Sequence, residues 1–188
     1  MSANDVAAGL ACAFLMARGR AEGLRLLDGS NRAAWRSFFA MIVAAPIYLA
    51  LKAVSMPPLP RGIDPARLIA AEAIGYVTGW FATALVMLVL ARMMDRETRW
   101  PLLVAAWNWS NVVQLIVFLS ASIVASALPP ALAGGVTFAA LGYVLWLQWF
   151  VAREAFAIPG PRAAVVVGVD LVLGLFLSGL TLSLGAAR

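Results

Sequence analysis

Five apolar runs, each long enough to cross a bilayer, leave this chain little choice of fold. They cover about 34–54, 67–94, 100–128, 131–152 and 163–187. A hydrocarbon core needs about 20 residues of helix at about 1.5 Å per residue. In lipid every backbone N–H and C=O must bond within the protein, and a helix satisfies them inside one segment. No run alternates with the period of a strand. Composition agrees: the chain is 63% hydrophobic and 12% charged, with a mean hydropathy of +0.91. A soluble domain carries about 25% charge. The expected class is an all-α membrane protein of five transmembrane helices, preceded by an N-terminal amphipathic interfacial helix. Residues 1–29 form the cytoplasmic or interfacial segment, and 30–188 the transmembrane domain.

In that first segment Val6, Leu10, Phe14 and Ala17 fall at helical spacing, and Leu24 and Leu27 resume it. Arg18, Arg20, Glu22 and Arg25 supply a polar side. The pattern reads as a helix over 2–28 lying in the interface. No cleavable signal is expected, because Asp5 rather than a basic stretch precedes the apolar run. Asp28-Gly29-Ser30-Asn31 is turn chemistry, with Ser30 or Asn31 placed to cap the next helix. Pro46 is expected to break the first span. The loop 55–65, with four prolines, is expected to be non-helical, and Asp64 to cap the second span ahead of Pro65.

The basic residues orient the chain. With the N-terminus in the cytoplasm, Arg18, Arg20, Arg25, Arg32, Arg36, Arg92, Arg96, Arg99, Arg153 and Arg162 lie inside. Lys52, Arg61, Arg67 and Arg188 then lie outside. That asymmetry follows the positive-inside rule, and Trp35, Trp100, Trp149 and Phe150 fall where an aromatic belt forms. The expected location is a bacterial inner membrane, with the N-terminus cytoplasmic and the C-terminus outside. The net charge of +5 sits at span ends. It points to anionic lipid headgroups, chiefly at the N-terminal arginines, rather than to nucleic acid.

Asp170 stands alone inside the fifth run, where an acid costs roughly 2.5–3.5 kcal/mol on insertion scales. Helix rise places Asn108, Asn111, Gln148 and Asp170 at similar depths, roughly 7–16 Å from the cytoplasmic end. Spacing by threes puts Asn108, Asn111 and Gln114 on one face, bracketed by Trp107 and Trp109. Two readings stand side by side. The amides and Asp170 could be interhelical glue, each contact contributing about 0.6 kcal/mol. The second reading, after that one, is a site for a cation, a proton or a polar headgroup. Glu72, a second intramembrane acid, either snorkels to the outer interface or pairs with Lys52 or Arg67. Gly75 and Gly79, with Gly174 and Ser178, are expected at close helix contacts.

Enzyme chemistry finds no support in these residues. There is no histidine and one cysteine, Cys12. No phosphate loop, metal-ligand spacing or nucleophile–base pair is present. No catalytic activity, metal or cofactor is expected.

Trp35-Arg36-Ser37-Phe38-Phe39 entering a span with Pro46, and Trp107-Asn108-Trp109 inside a later one, complete the pattern. The layout over about 30–187 resembles the Yip1-like family of small five-span membrane proteins. The resemblance implies a cytoplasmic N-terminal segment, short loops and a role in membrane organisation, trafficking or assembly. The expected function is an accessory or organising subunit, within a larger membrane complex or a homo-oligomer. The alternative is a small ion-coupled transporter built round Asp170.

Overall fold

The computed structural model describes residues 3–55 and 65–186. The expectations for the loop 55–65 and for Asp64 fall outside that range, apart from its two end residues. Among these described residues seven helices follow in order: α1 (Ala3–Met16), α2 (Asn31–Ser37), α3 (Phe39–Ser55), α4 (Pro65–Met93), α5 (Trp100–Ser126), α6 (Pro130–Phe156) and α7 (Gly160–Ala186). Turns of 3-10 helix lie at Ala21–Leu26 and Glu97–Arg99. Among the described residues there is no strand. Among the described residues five helices are long and apolar enough to cross a membrane, with α2 and α3 together making the first, Asn31–Ser55.

The N-terminal helix is present but ends earlier than its apolar spacing suggests. Gly19 stops it with a positive φ of 72°. The Gly19 N–H donates to the Met16 carbonyl at 2.9 Å and the Arg20 N–H to the Leu15 carbonyl at 3.0 Å. These two bonds are a Schellman cap, which favours glycine. Arg18 and Arg20 therefore lie in a turn, and Arg25 in the 3-10 segment. Helix α1 itself docks against α5. Gly9 faces the Trp109 indole so closely that a Cβ there would collide with the ring. Cys12, Ala13 and Met16 are fully buried along the same face.

Ser30 caps α2, accepting from the Ala33 N–H at 3.2 Å. Asp28 holds that serine by accepting from its N–H at 3.1 Å and its hydroxyl at 2.7 Å. The first span is interrupted at Phe38, and regular helix runs on through Pro46, contrary to expectation. The cause is local. The Ser37 hydroxyl donates to the Ala34 carbonyl at 2.6 Å, the acceptor that the Phe38 N–H would use in a continuous helix. Phe38 turns instead to the Trp35 carbonyl at 3.3 Å.

Helix α5 is the axis of the bundle. Its span is 61% buried, against 17–22% for the other four. α1, α2, α3 and α6 pack around it, while α4 pairs chiefly with α7. Buried side chains gather where the arginine-bearing helix ends meet: Met87 and Leu90 on α4, Leu103 and Ala106 on α5, Val151 and Phe156 on α6, Val166 on α7. Towards the opposite end a cleft lies between the α4–α7 pair and the α3–α5 pair.

Candidate functional site

The cleft has a volume of about 420 Å³. Helical periodicity builds its walls. On α4 the lining residues are Glu72, Gly75, Tyr76, Gly79, Trp80 and Thr83. On α7 they are Asp170, Leu173, Gly174, Leu177, Ser178, Thr181 and Leu182. Both sets recur at three and four, so each is one face of one helix. From Asp170 to Leu182 the face runs about 18 Å at about 1.5 Å per residue. Trp107, Asn111, Gln114, Leu115 and Phe118 of α5 form the back.

Asp170 sits at the deep end, against the packed half of the bundle. Its Oδ1 accepts from the Thr83 hydroxyl at 3.1 Å, and its Oδ2 from Gln148 Nε2 at 3.2 Å. The same Gln148 nitrogen donates to Gln114 Oε1 at 3.3 Å. One network thus links α4, α5, α6 and α7. Asp170 thus meets Gln148 directly and Gln114 only through it, and Asn111 lines the same cleft.

Asn108 is the exception and corrects the expectation. It is 3% exposed and donates to the Ser37 hydroxyl at 2.9 Å, towards α2 and away from Asp170. Equal depth does not mean equal direction. At 3.6 residues per turn each step of three turns back by about 60°, so Asn108 and Gln114 point about 120° apart. The two indoles divide likewise: Trp107 lines the cleft and Trp109 meets α1. We expect Asn108→Leu, a near-isosteric change, to lower stability by about 1 kcal/mol, because Ser37 keeps its bond to Ala34 and loses only one donor. Thermal denaturation in detergent measures this.

Near the other end of the cleft Glu72 is held rather than free. Lys52 Nζ lies 2.8 Å from its Oε2 and 2.9 Å from its Oε1, and the Tyr48 hydroxyl donates to Oε2 at 2.6 Å. Snorkelling is therefore not its arrangement, and Arg67 is not its partner: Arg67 Nε donates to the Leu184 carbonyl at 3.0 Å. Glu72 and Asp170, placed in opposite halves by their positions, border one cavity. The glycines divide. A Cβ on Gly75 would collide with the Thr181 hydroxyl, a true close approach of α4 to α7. At Gly79 and Gly174 a Cβ would meet nothing within 4 Å. These two, with Ser178 beside them in the lining, widen the cleft instead of closing a helix contact.

Thr83, Tyr48 and Ser37 escape a search for intramembrane charges and amides. Thr83 lies three turns from Glu72 on the same face of α4, so extending that stripe would have found it. Among the described residues no group of three or more His, Cys, Asp or Glu is placed to hold a metal ion.

Fold and cleft define a five-span α-helical membrane protein with a polar-ended cavity that runs from the middle of its bundle towards one end. The sequence matches the Yip1 domain over residues 15–181, which takes in all five spans except the last residues of α7. The chain belongs to the Yip1 domain family. No curated protein and no solved structure gave a match.

Proposed function

We propose that this protein is an accessory, organising component of a membrane that acts by binding, without chemistry of its own, and that the cleft is its binding site. The observation that carries the reading is the division of the bundle. The buried core gathers at one end, and towards the other lies the larger cavity, with polar groups at its two ends and mostly apolar walls between. A site of a few hundred Å³ with mostly apolar lining and a few convergent polar groups suits a small or amphiphilic ligand.

The positive-inside rule orients the molecule with its N-terminus in the cytoplasm of a bacterial cell, so the cleft faces the outer half of the inner membrane. Arg18, Arg20, Arg25, Arg32 and Arg36 are exposed at the cytoplasmic end beside Trp35, itself 65% exposed. This basic, aromatic surface suits anionic headgroups. The exposed outer faces of α6 and α7 suit a larger membrane complex or a second copy. Native mass spectrometry from a mild detergent tests the reading. The expected particle retains lipid, ligand or partner; a bare single chain would count against it.

A transporter is the second reading, favoured by Asp170 lying within a membrane span and lining the cleft. Its test is cation or proton flux in reconstituted vesicles. Flux that Asp170→Asn leaves unchanged would rule out the role of Asp170.

A further inference from the structure

The deep end of the cleft has a donor and acceptor pattern that the protein itself leaves incomplete. Asp170 accepts two neutral hydrogen bonds and forms no ion pair among the described residues. Lys52, the cation in the cleft lining, is taken up by Glu72. Gln114 is only 6% exposed, and its Oε1 is bonded to Gln148. Its Nε2 is buried and has no hydrogen-bond partner among the described residues. A buried amide N–H without an acceptor is costly and points to a group that supplies one. Gln148 Nε2 touches both side chains, so the carboxylate and the unpartnered amide stand one amide apart. Trp80 and Trp107 add rings whose faces attract cations.

From this juxtaposition we infer that the deep end of the cleft binds a protonated organic amine with an oxygen two carbons away. The ammonium donates to Asp170. The oxygen accepts from Gln114 Nε2. The apolar body of the ligand lies along Leu173, Leu177 and Phe118. The assignment rests on the reading of the cleft as a binding site. A bare metal cation would leave the Gln114 N–H unanswered, and an anion would meet Asp170. Water-soluble amino alcohols and the ethanolamine headgroup of a lipid share the required chemistry.

Calorimetric titration of the full chain in detergent with 2-amino-1-phenylethanol tests it. The neutral 1-phenylethanol and the oxygen-free 2-phenylethylamine are the controls. The amino alcohol is expected to bind at least about tenfold more tightly than the neutral alcohol, and Asp170→Asn to weaken it about ten- to a hundredfold. Gln114→Met is expected to weaken the amino alcohol several-fold, by about the worth of one hydrogen bond, and to leave 2-phenylethylamine unchanged. This variant keeps the test open should Asp170→Asn unfold the network. No binding to the wild-type chain, equal binding to Asp170→Asn, or an equal effect of Gln114→Met on both amines overturns the inference. Gly174→Leu, which fills the cleft, separates the two readings. If it abolishes binding while Asp170→Asn does nothing, the cleft stands and the ammonium assignment falls. If binding survives it, the cleft reading falls as well. In nanodiscs, competition by phosphatidylethanolamine and not by phosphatidylcholine identifies a lipid as the source of the amine. Absence of that competition identifies a water-soluble one.

Discussion

Replacing Gly9 by leucine should turn Cys12 from an inert thiol into a reactive one. Cys12 is the only cysteine and is fully buried between α1 and the bundle, and burial pushes its thiol up from 9.0 to about 12. Maleimide reacts with the thiolate, so the docked helix protects Cys12 both by access and by protonation. Gly9 is where α1 touches the Trp109 indole, and a side chain there has no room. Leucine at position 9 forces α1 off α5, and Cys12 returns to solvent or detergent. A fall of the thiol from about 12 to 9.0 alone raises the thiolate fraction near neutral pH about 1,000-fold. The measurement is the labelling rate in a mild detergent, with denatured protein as the upper limit. Gly9→Ala should raise it less, since the indole can yield further to a methyl group. Equal rates for wild type and Gly9→Leu would mean that α1 is not docked as described.

Removing Lys52 should destabilise the protein, and removing its partner as well should restore most of the loss. Glu72 lies within α4 with its side chain 20% exposed, and Lys52 and Tyr48 are its partners. Lys52→Met leaves an acid beside an apolar cleft with one neutral donor. Breaking a charge-assisted bond of this kind costs about 1.5–3 kcal/mol. The value belongs at the lower end here, because the Lys52 side chain is 41% exposed and water screens part of the interaction. Glu72→Gln removes the charge and keeps an acceptor for the Tyr48 hydroxyl. In Lys52→Met/Glu72→Gln no uncompensated charge remains, so the double variant should be more stable than Lys52→Met alone. Thermal unfolding of the four proteins in one detergent closes the cycle. Strictly additive losses would show that the pair is not coupled.

Much of the fold is legible in residue order alone, because the lipid environment removes alternatives. A run such as 163–187 can only be helix, and the arginines mark one end of each span. Local capping was legible too where its chemistry is short-range. Ser30 follows the turn residues Asp28-Gly29, and its side chain closes the first turn of α2. Gly19 carried an equally local signal for the end of α1, but the apolar spacing on either side of it disguised the stop. The break at Phe38 was harder. Pro46 is the visible helix breaker, whereas the actual interruption comes from the Ser37 hydroxyl competing for one carbonyl.

The site was half legible. Depth follows from counting residues, which put Gln148 level with Asp170, its hydrogen-bond partner, while Gln114, a turn deeper by that count, joins the network through Gln148. Direction round a helix is less forgiving, since three-residue steps drift by about 60° and carry Asn108 to another neighbour. That Gly79 and Gly174 border a cavity, while Gly75 abuts Thr181, depends on how far apart α4 and the neighbouring helices stand. No spacing along one helix encodes that distance.

Residue order by itself determined the class of this protein, its five spans and the asymmetry of its two ends, since backbone satisfaction in lipid and the placement of arginine are properties of each segment separately. The tertiary structure alone decided that the bundle closes at its arginine-rich end and opens at the other, and that Glu72 and Asp170 border one cleft. Those outcomes depend on which faces of four helices meet. Side-chain volumes at Trp109, Thr181 and the glycines fix that only once the helices have come together.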